Sequence, residues 1–154
     1  MDALIDIKGV RHAYRTASGP LPVLNGLDVQ VPEGGFVAVV GPSGCGKSTL
    51  TRLVAGLLIP DEGTVSVHGN RITGPRSNVG MAFQNPVLLE WRTILENVML
   101  PLEIVPSKLT KAEGQARARK LLALVGLEGF EAKRPSELSG GMKQRASLCR
   151  ALIH

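Results

Sequence analysis

At 154 residues the chain amounts to about one domain, long enough to bury a real core, and 44% hydrophobic content excludes a disordered polymer. A net charge of +5 would admit nucleic acid as a partner. The basic residues are scattered, however, in small groups such as Arg117-Arg119-Lys120 and Lys133-Arg134, and three Phe, one Trp and one Tyr offer little for bases to stack on, so no nucleic acid is expected. No apolar run approaches bilayer length, and no basic-then-apolar leader opens the chain. Cys45 and Cys149 have no metal-like spacing and read as free thiols of a cytosolic protein.

In chain order, Leu4-Ile5-Asp6-Ile7 and Leu27-Asp28-Val29-Gln30-Val31 carry short strand-like alternations. Phe36 to Val40, after the Gly34-Gly35 turn, is continuously apolar and is expected to form a buried parallel strand. Thr64 to Val67 follows the turn-like Pro60-Asp61-Glu62-Gly63, and Val79, Met81 and Phe83 alternate as a further strand. Beyond Gln84 the pattern becomes helical. Thr93 with Glu96 and Thr110 with Glu113 each fit a capping box; the second opens a helix from about Lys111 to Val125, closed by Gly126. A last helix from about Gly141 places Met142, Ala146, Cys149, Leu152 and Ile153 on one face.

The strongest chemical signal is Gly41-Pro42-Ser43-Gly44-Cys45-Gly46-Lys47-Ser48-Thr49. It follows an apolar run and precedes a predicted helix, Ser48 to Ala55, as a P-loop does. Glycines let backbone N–H groups converge on phosphate oxygens, and a helix N-terminus adds a favourable dipole. Lys47 would set its ammonium on the β- and γ-phosphates, and Ser48 would ligate Mg²⁺ through its hydroxyl. A second glycine-rich stretch, Leu138-Ser139-Gly140-Gly141-Met142-Lys143-Gln144-Arg145, places an N-cap serine, two bare backbone positions and two cations at another helix N-terminus. By itself that could be an ordinary capped helix.

With the P-loop, Gln84 and this stretch in order, the chain resembles the ATP-binding cassette family, whose signature reads LSGG followed by a glutamine and an arginine. The resemblance covers the whole chain. It implies an α/β P-loop core with an antiparallel N-terminal β region and a helical subdomain: residues 1–84 as β region and P-loop core, 85–137 as helical subdomain, 138–154 as signature and helix. It implies ATP and Mg²⁺ as cofactors, with Gln84 sensing Mg²⁺ and the γ-phosphate, and Tyr14 stacking on adenine; an ordinary strand-edge tyrosine is the rival reading. Ser139, Gly140 and Gly141 would bind the γ-phosphate held by a second ATPase subunit in a head-to-tail dimer. His12 and His68 read as surface or turn residues, and His154 is not the family's switch histidine.

The phrase from Phe83 to Thr93, with Leu88-Leu89 and Trp91, resembles importers of the nitrate, sulfonate and taurine type, and either packs within the helical portion or faces another protein. The implied role is the energy-supplying ATPase of a membrane importer, peripheral at the cytoplasmic face, with transmembrane permease subunits and, indirectly, a solute-binding protein. The rival is an ATPase of DNA repair or chromosome maintenance. Such proteins interrupt the cassette with a coiled coil or zinc modules between P-loop and signature, whereas here that interval is compact and free of cysteine. A small-molecule kinase would have no use for the second motif. In the family an acidic strand and the switch histidine follow the signature helix. The 154 residues end at Leu152-Ile153-His154 before any of them, so the C-terminal part of the core is expected to be missing, and these residues alone to bind ATP weakly or aggregate and to hydrolyse none.

Overall fold

The computed structural model describes residues 3–76 and 79–154 and divides into two compact units, one ending at Arg76 and the other running from Ser77 to His154. The first carries a four-stranded antiparallel sheet of order β2-β1-β3-β4, with β1 Ala3–Thr16, β2 Gly19–Pro32, β3 Glu62–Val67 and β4 Asn70–Arg71. Helix α1, Lys47–Val54, packs on β3 and buries Leu50 and Leu53, one turn apart, against Ile7, Val10, Val65, Val67 and Ile72.

One irregularity in β1 decides which residues face that core. Ile7 pairs with Val29 and Val10 with Leu27, and on the other edge Lys8 pairs with Thr64 and Arg11 with Glu62. Both ladders therefore spend three steps of β1 against two of the partner, which is a β-bulge. Gly9 sits in it at φ +56°, and its N–H donates to Asp28 Oδ1 at 2.8 Å. The extra residue inverts the alternation: Ile7 is buried before the bulge, Val10 and His12 after it. Hence β1 runs far beyond the Leu4 to Ile7 stretch that simple alternation marks, and His12, expected at the surface, is buried.

The expected strand Phe36 to Val40 does not form. Residues 36–40 carry no strand pairing, and Phe36 is 95% and Val40 88% exposed. An apolar run becomes a buried strand only between partner strands, and none of the four strands in this sheet pairs with it. Val79, Met81 and Phe83 likewise form no strand, for the same reason.

The second unit is helical: α2 Ile94–Ile104, α3 Lys111–Leu124 and α4 Gly140–Ala151, with a short 3₁₀ turn at Pro135–Glu137. Its core gathers Leu88, Ile94, Val98, Leu122, Leu127, Ala146, Cys149 and Ile153. Both capping boxes are present as read from the sequence: Thr93 accepts from Glu96 N–H and Thr110 from Glu113 N–H, and each glutamate carboxylate accepts the cap residue's N–H at 2.7 Å. Those bonds favour the ionised carboxylates. The Thr93 backbone N–H holds Glu96, and the Thr110 hydroxyl then its N–H hold Glu113, below the ordinary glutamate value. A depressed folded value means that the caps stabilise above the unfolded glutamate range and weaken as pH falls through the folded one. Leu152 is 55% exposed rather than on the buried face, because α4 ends at Ala151 and the helical period ends with it; Ile153 then turns inward.

Candidate functional site

The phosphate loop lies in the first unit. Gly44 and Gly46 take φ +82° and +98°, a backbone open to glycine at little cost. At Gly46 a side chain would also collide, since a Cβ would come 2.9 Å from Leu24 Cδ2 and 3.1 Å from the Val23 carbonyl oxygen. Gly46 is the N-cap of α1.

That N-terminus differs from the other three. Helices α2, α3 and α4 each receive a side-chain cap from Thr93, Thr110 and Ser139. Helix α1 has no side-chain cap hydrogen bond and no acidic residue in its first turn. Its leading N–H groups and the positive end of its dipole are left for an external anion. Lys47 curls back over the loop, Nζ donating to the carbonyls of Gly41 at 2.8 Å and Pro42 at 2.7 Å and lying 3.7 Å from Cys45 Sγ. A cation, uncapped N–H groups and a glycine floor are the donor set a polyphosphate needs, so these residues fit the nucleotide that the sequence implies.

Tyr14 and Thr49 meet beside the loop. Tyr14 Oη lies 3.2 Å from Thr49 Oγ1 in the first turn of α1, part-buried. Ser48 and Cys45 are exposed. The structure thus brings Tyr14 and residues 41–49 together in one unit.

Gln84, Ser139, Gly140 and Gly141 belong to the second unit, all exposed. Ser139 Oγ accepts from Met142 N–H at 3.3 Å and caps α4. A Cβ at Gly140 or Gly141 would meet nothing within 4 Å. Nothing inside this unit requires glycine there, so the bare backbone faces outward by choice of residue and not by crowding. One turn on, Gln144 Nε2 donates to the Phe83 carbonyl at 3.0 Å, and Arg150 donates to that of Val87, so α4 holds the segment carrying Gln84 at two points. At Gly80 a Cβ would lie 1.9 Å from the Ala151 carbonyl oxygen, so the same segment passes directly against the end of α4.

Sequence reasoning missed three contributors. Asn97, fully buried in α2, accepts from Leu89 N–H at 2.7 Å and donates to the carbonyls of Leu89, Arg92 and Thr93. It thereby fixes the loop that presents Trp91, 72% exposed. A polar residue between Ile94 and Val98 was the available signal. His12 and Asp61 are the others: Asp61 Oδ2 accepts from Ala13 N–H at 2.7 Å, and Asp61 N–H donates to Arg11 at 2.9 Å. Cys149 is buried, which pushes its thiol up and keeps it inert.

Among known proteins, the family profile described as ABC transporter matches residues 24–154. A bicarbonate transport ATP-binding protein of Synechocystis is 47% identical over 150 residues, covering 97% of this chain and 53% of that protein. An aliphatic sulfonates import ATP-binding protein of Agrobacterium fabrum is 49% identical over 152 residues, covering 99% and 54%. The chain spans about half the length of the curated relatives it matches. Among solved structures, a dimeric bacterial ABC transporter cassette superposes with a TM-score of 0.87 at 32% identity, covering 97% of this chain and 69% of that one. A dimeric cassette in a post-hydrolysis state bound to ADP and Pi gives 0.86 at 31%, with the same coverage.

Proposed function

The chain belongs to the ABC transporter family of ATP-binding cassettes, and from that premise we propose that it is the ATP-binding part of an importer for nitrate, sulfonate, taurine or related small solutes. The observation that carries the reading is the N-terminus of α1, uncapped by side chains and overhung by Lys47. Loop N–H groups from Gly41 to Thr49 would receive the phosphate oxygens, Lys47 the β- and γ-phosphates, and Tyr14 the adenine. Ser48 and Gln84 would hold Mg²⁺, which supplies charge neutralisation on the β- and γ-oxygens when bound. Ser139, Gly140 and Gly141 would reach the γ-phosphate of a second subunit, an arrangement supported by their outward-facing backbone and by the dimeric cassettes that this chain resembles. The regions 1–84, 85–137 and 138–154 would serve as nucleotide core, helical subdomain and signature.

The exposed Val87, bonded by Arg150, and Trp91, on the loop that Asn97 holds, would face transmembrane permease subunits at the cytoplasmic face of the membrane. Similarity to a sulfonate importer subunit and to bicarbonate subunits supports a solute of the nitrate, sulfonate or taurine kind, delivered by a solute-binding protein. Cells lacking this chain should take up radiolabelled taurine, alkanesulfonate or nitrate at a few per cent of the normal rate. Unchanged uptake of all three would remove the solute class.

Pairing has its own expected result. Ser139→Arg puts a bulky cation where the partner's phosphate would sit, so Mg-ATP should still bind single subunits while ATP-dependent dimers disappear from light scattering. Normal dimer formation by this variant would take the signature out of the interface.

A further inference from the structure

The Tyr14 ring is held at both ends, and one of the two supports is a residue with no assigned part. Its hydroxyl meets Thr49 Oγ1 at 3.2 Å. The ring itself meets His12 in an edge-to-face contact, centroids 5.2 Å apart and planes at 84°, the geometry that aromatic pairs prefer. His12 is buried, turned inward by the bulge at Gly9. Its Nδ1 lies 3.5 Å from Asp61 Oδ2, within ion-pair range, yet makes no hydrogen bond among the described residues. As mere filler such a ring is poor, because an aliphatic side chain would fill the space without burying an unbonded nitrogen.

Asp61 explains how the ring stays in place. The β1–β3 ladder ends at Arg11 and Glu62. Asp61 extends it by one clamp, donating its N–H to the Arg11 carbonyl and accepting Ala13 N–H on its carboxylate. His12 is the residue between those two anchor points, so its backbone cannot shift relative to β3.

We propose that His12, clamped by Asp61, is a positioning residue that sets the Tyr14 ring for the nucleotide base. The proposal rests on the reading of Tyr14 as the adenine-facing ring. Fixing that ring beforehand removes part of the ordering cost that stacking would otherwise incur, so the benefit should appear with ligands that carry a base and be absent with those that carry phosphates alone.

Tyr14 is the chain's one tyrosine, so 3-fluorotyrosine labelling gives a single ¹⁹F signal that reports this ring. Calorimetry would compare ATP with inorganic tripolyphosphate, both with Mg²⁺, for the wild type, Tyr14→Ala, His12→Ala and His12→Phe. Tyr14→Ala should weaken ATP about tenfold and leave tripolyphosphate unchanged. His12→Ala should weaken ATP roughly three- to tenfold, spare tripolyphosphate, and broaden or shift the ¹⁹F line. His12→Phe keeps the ring edge and should stay within about twofold of wild type for ATP; because it opens no cavity, it also decides the matter should the alanine variant unfold. Equal loss of ATP and tripolyphosphate in His12→Ala, or a loss in His12→Phe as large as in His12→Ala, overturns the proposal. So does unchanged ATP affinity in His12→Ala when Tyr14→Ala is impaired, which leaves the adenine reading standing. Unchanged ATP affinity in Tyr14→Ala instead removes the adenine reading, and the role of His12 with it.

Discussion

Replacing Lys47 by alanine should abolish most nucleotide binding while hardly touching stability. The ammonium bonds only to two loop carbonyls and approaches Cys45 Sγ, all on the exposed side of the loop. Losing those contacts frees groups that water can solvate, so the melting temperature should move by no more than a degree or two, as exposed substitutions usually do. The bound polyphosphate, by contrast, loses its charge-assisted donor. Such bonds contribute about 1.5–3 kcal/mol, which is roughly 10- to 100-fold in Kd. Isothermal calorimetry with Mg-ATP on the folded variant measures it. Arginine at this position should not restore affinity, because a planar guanidinium is larger than the space between the Gly41 and Pro42 carbonyls suits. Affinity equal to wild type in Lys47→Ala would mean that the loop is not the phosphate site.

Asn97→Ala should have the opposite profile, with a large loss of stability and no direct effect on nucleotide. The side chain is fully buried and spans four backbone groups. Two of those have other partners: the Leu89 carbonyl also accepts from Arg92 N–H, and the Thr93 carbonyl from Asn97's own N–H. The Leu89 N–H and the Arg92 carbonyl lose theirs. Each part-buried group left unsatisfied costs about 1–3 kcal/mol, and a cavity adds to it, for a total of about 3 kcal/mol or more. For a unit of this size that lowers the melting temperature by roughly 10–20 °C. Asn97→Asp is the informative control. It keeps the volume and one acceptor but turns a carboxylate toward three carbonyl oxygens, so it should be no more stable than alanine. Recovery of stability in the aspartate variant would show that volume, not hydrogen bonding, holds residues 89–93.

The features legible in the sequence were those whose chemistry is local. A threonine three residues before a glutamate satisfies its own helix end, so the starts of α2 and α3 fall where Thr93 and Thr110 place them. The glycines and lysine of residues 41–48 likewise act within one loop and specify the turn into α1. What escaped depends on distant partners. Phe36 to Val40 has the composition of a central strand, but composition supplies no neighbour to pair with. His12 looked like a surface residue because alternation counted from Ile5 and Ile7 puts even positions outside, and the count is shifted by one at Gly9. Asn97 was overlooked because its four bonds go to a loop that sequence periodicity does not describe.

That shift at Gly9 has a consequence for how the protein tolerates change. Substitutions alter one side chain at a time, but the orientation of everything downstream in β1 depends on a parity, set by whether an odd or even number of positions separates Ile7 from His12 once the bulge is counted as one. Deleting Arg11, with the bulge at Gly9 kept, would leave the phosphate loop, His12 and Tyr14 all present in the chain. One residue fewer beyond the bulge would carry His12 and Tyr14 to the opposite face of the sheet, away from Thr49, and bring Ala13 and Arg15 toward the core, whereas deleting Gly9 itself removes the bulge and leaves Ile7, Val10, His12 and Tyr14 on one face by regular pleating. Without Arg11, the contact between Tyr14 and Thr49 would be lost through arithmetic alone. For the same reason, length variation should be tolerated at the Thr16–Gly19 hairpin, past the last inward residue, and for loss of the bulge residue Gly9, but rejected between Val10 and Tyr14.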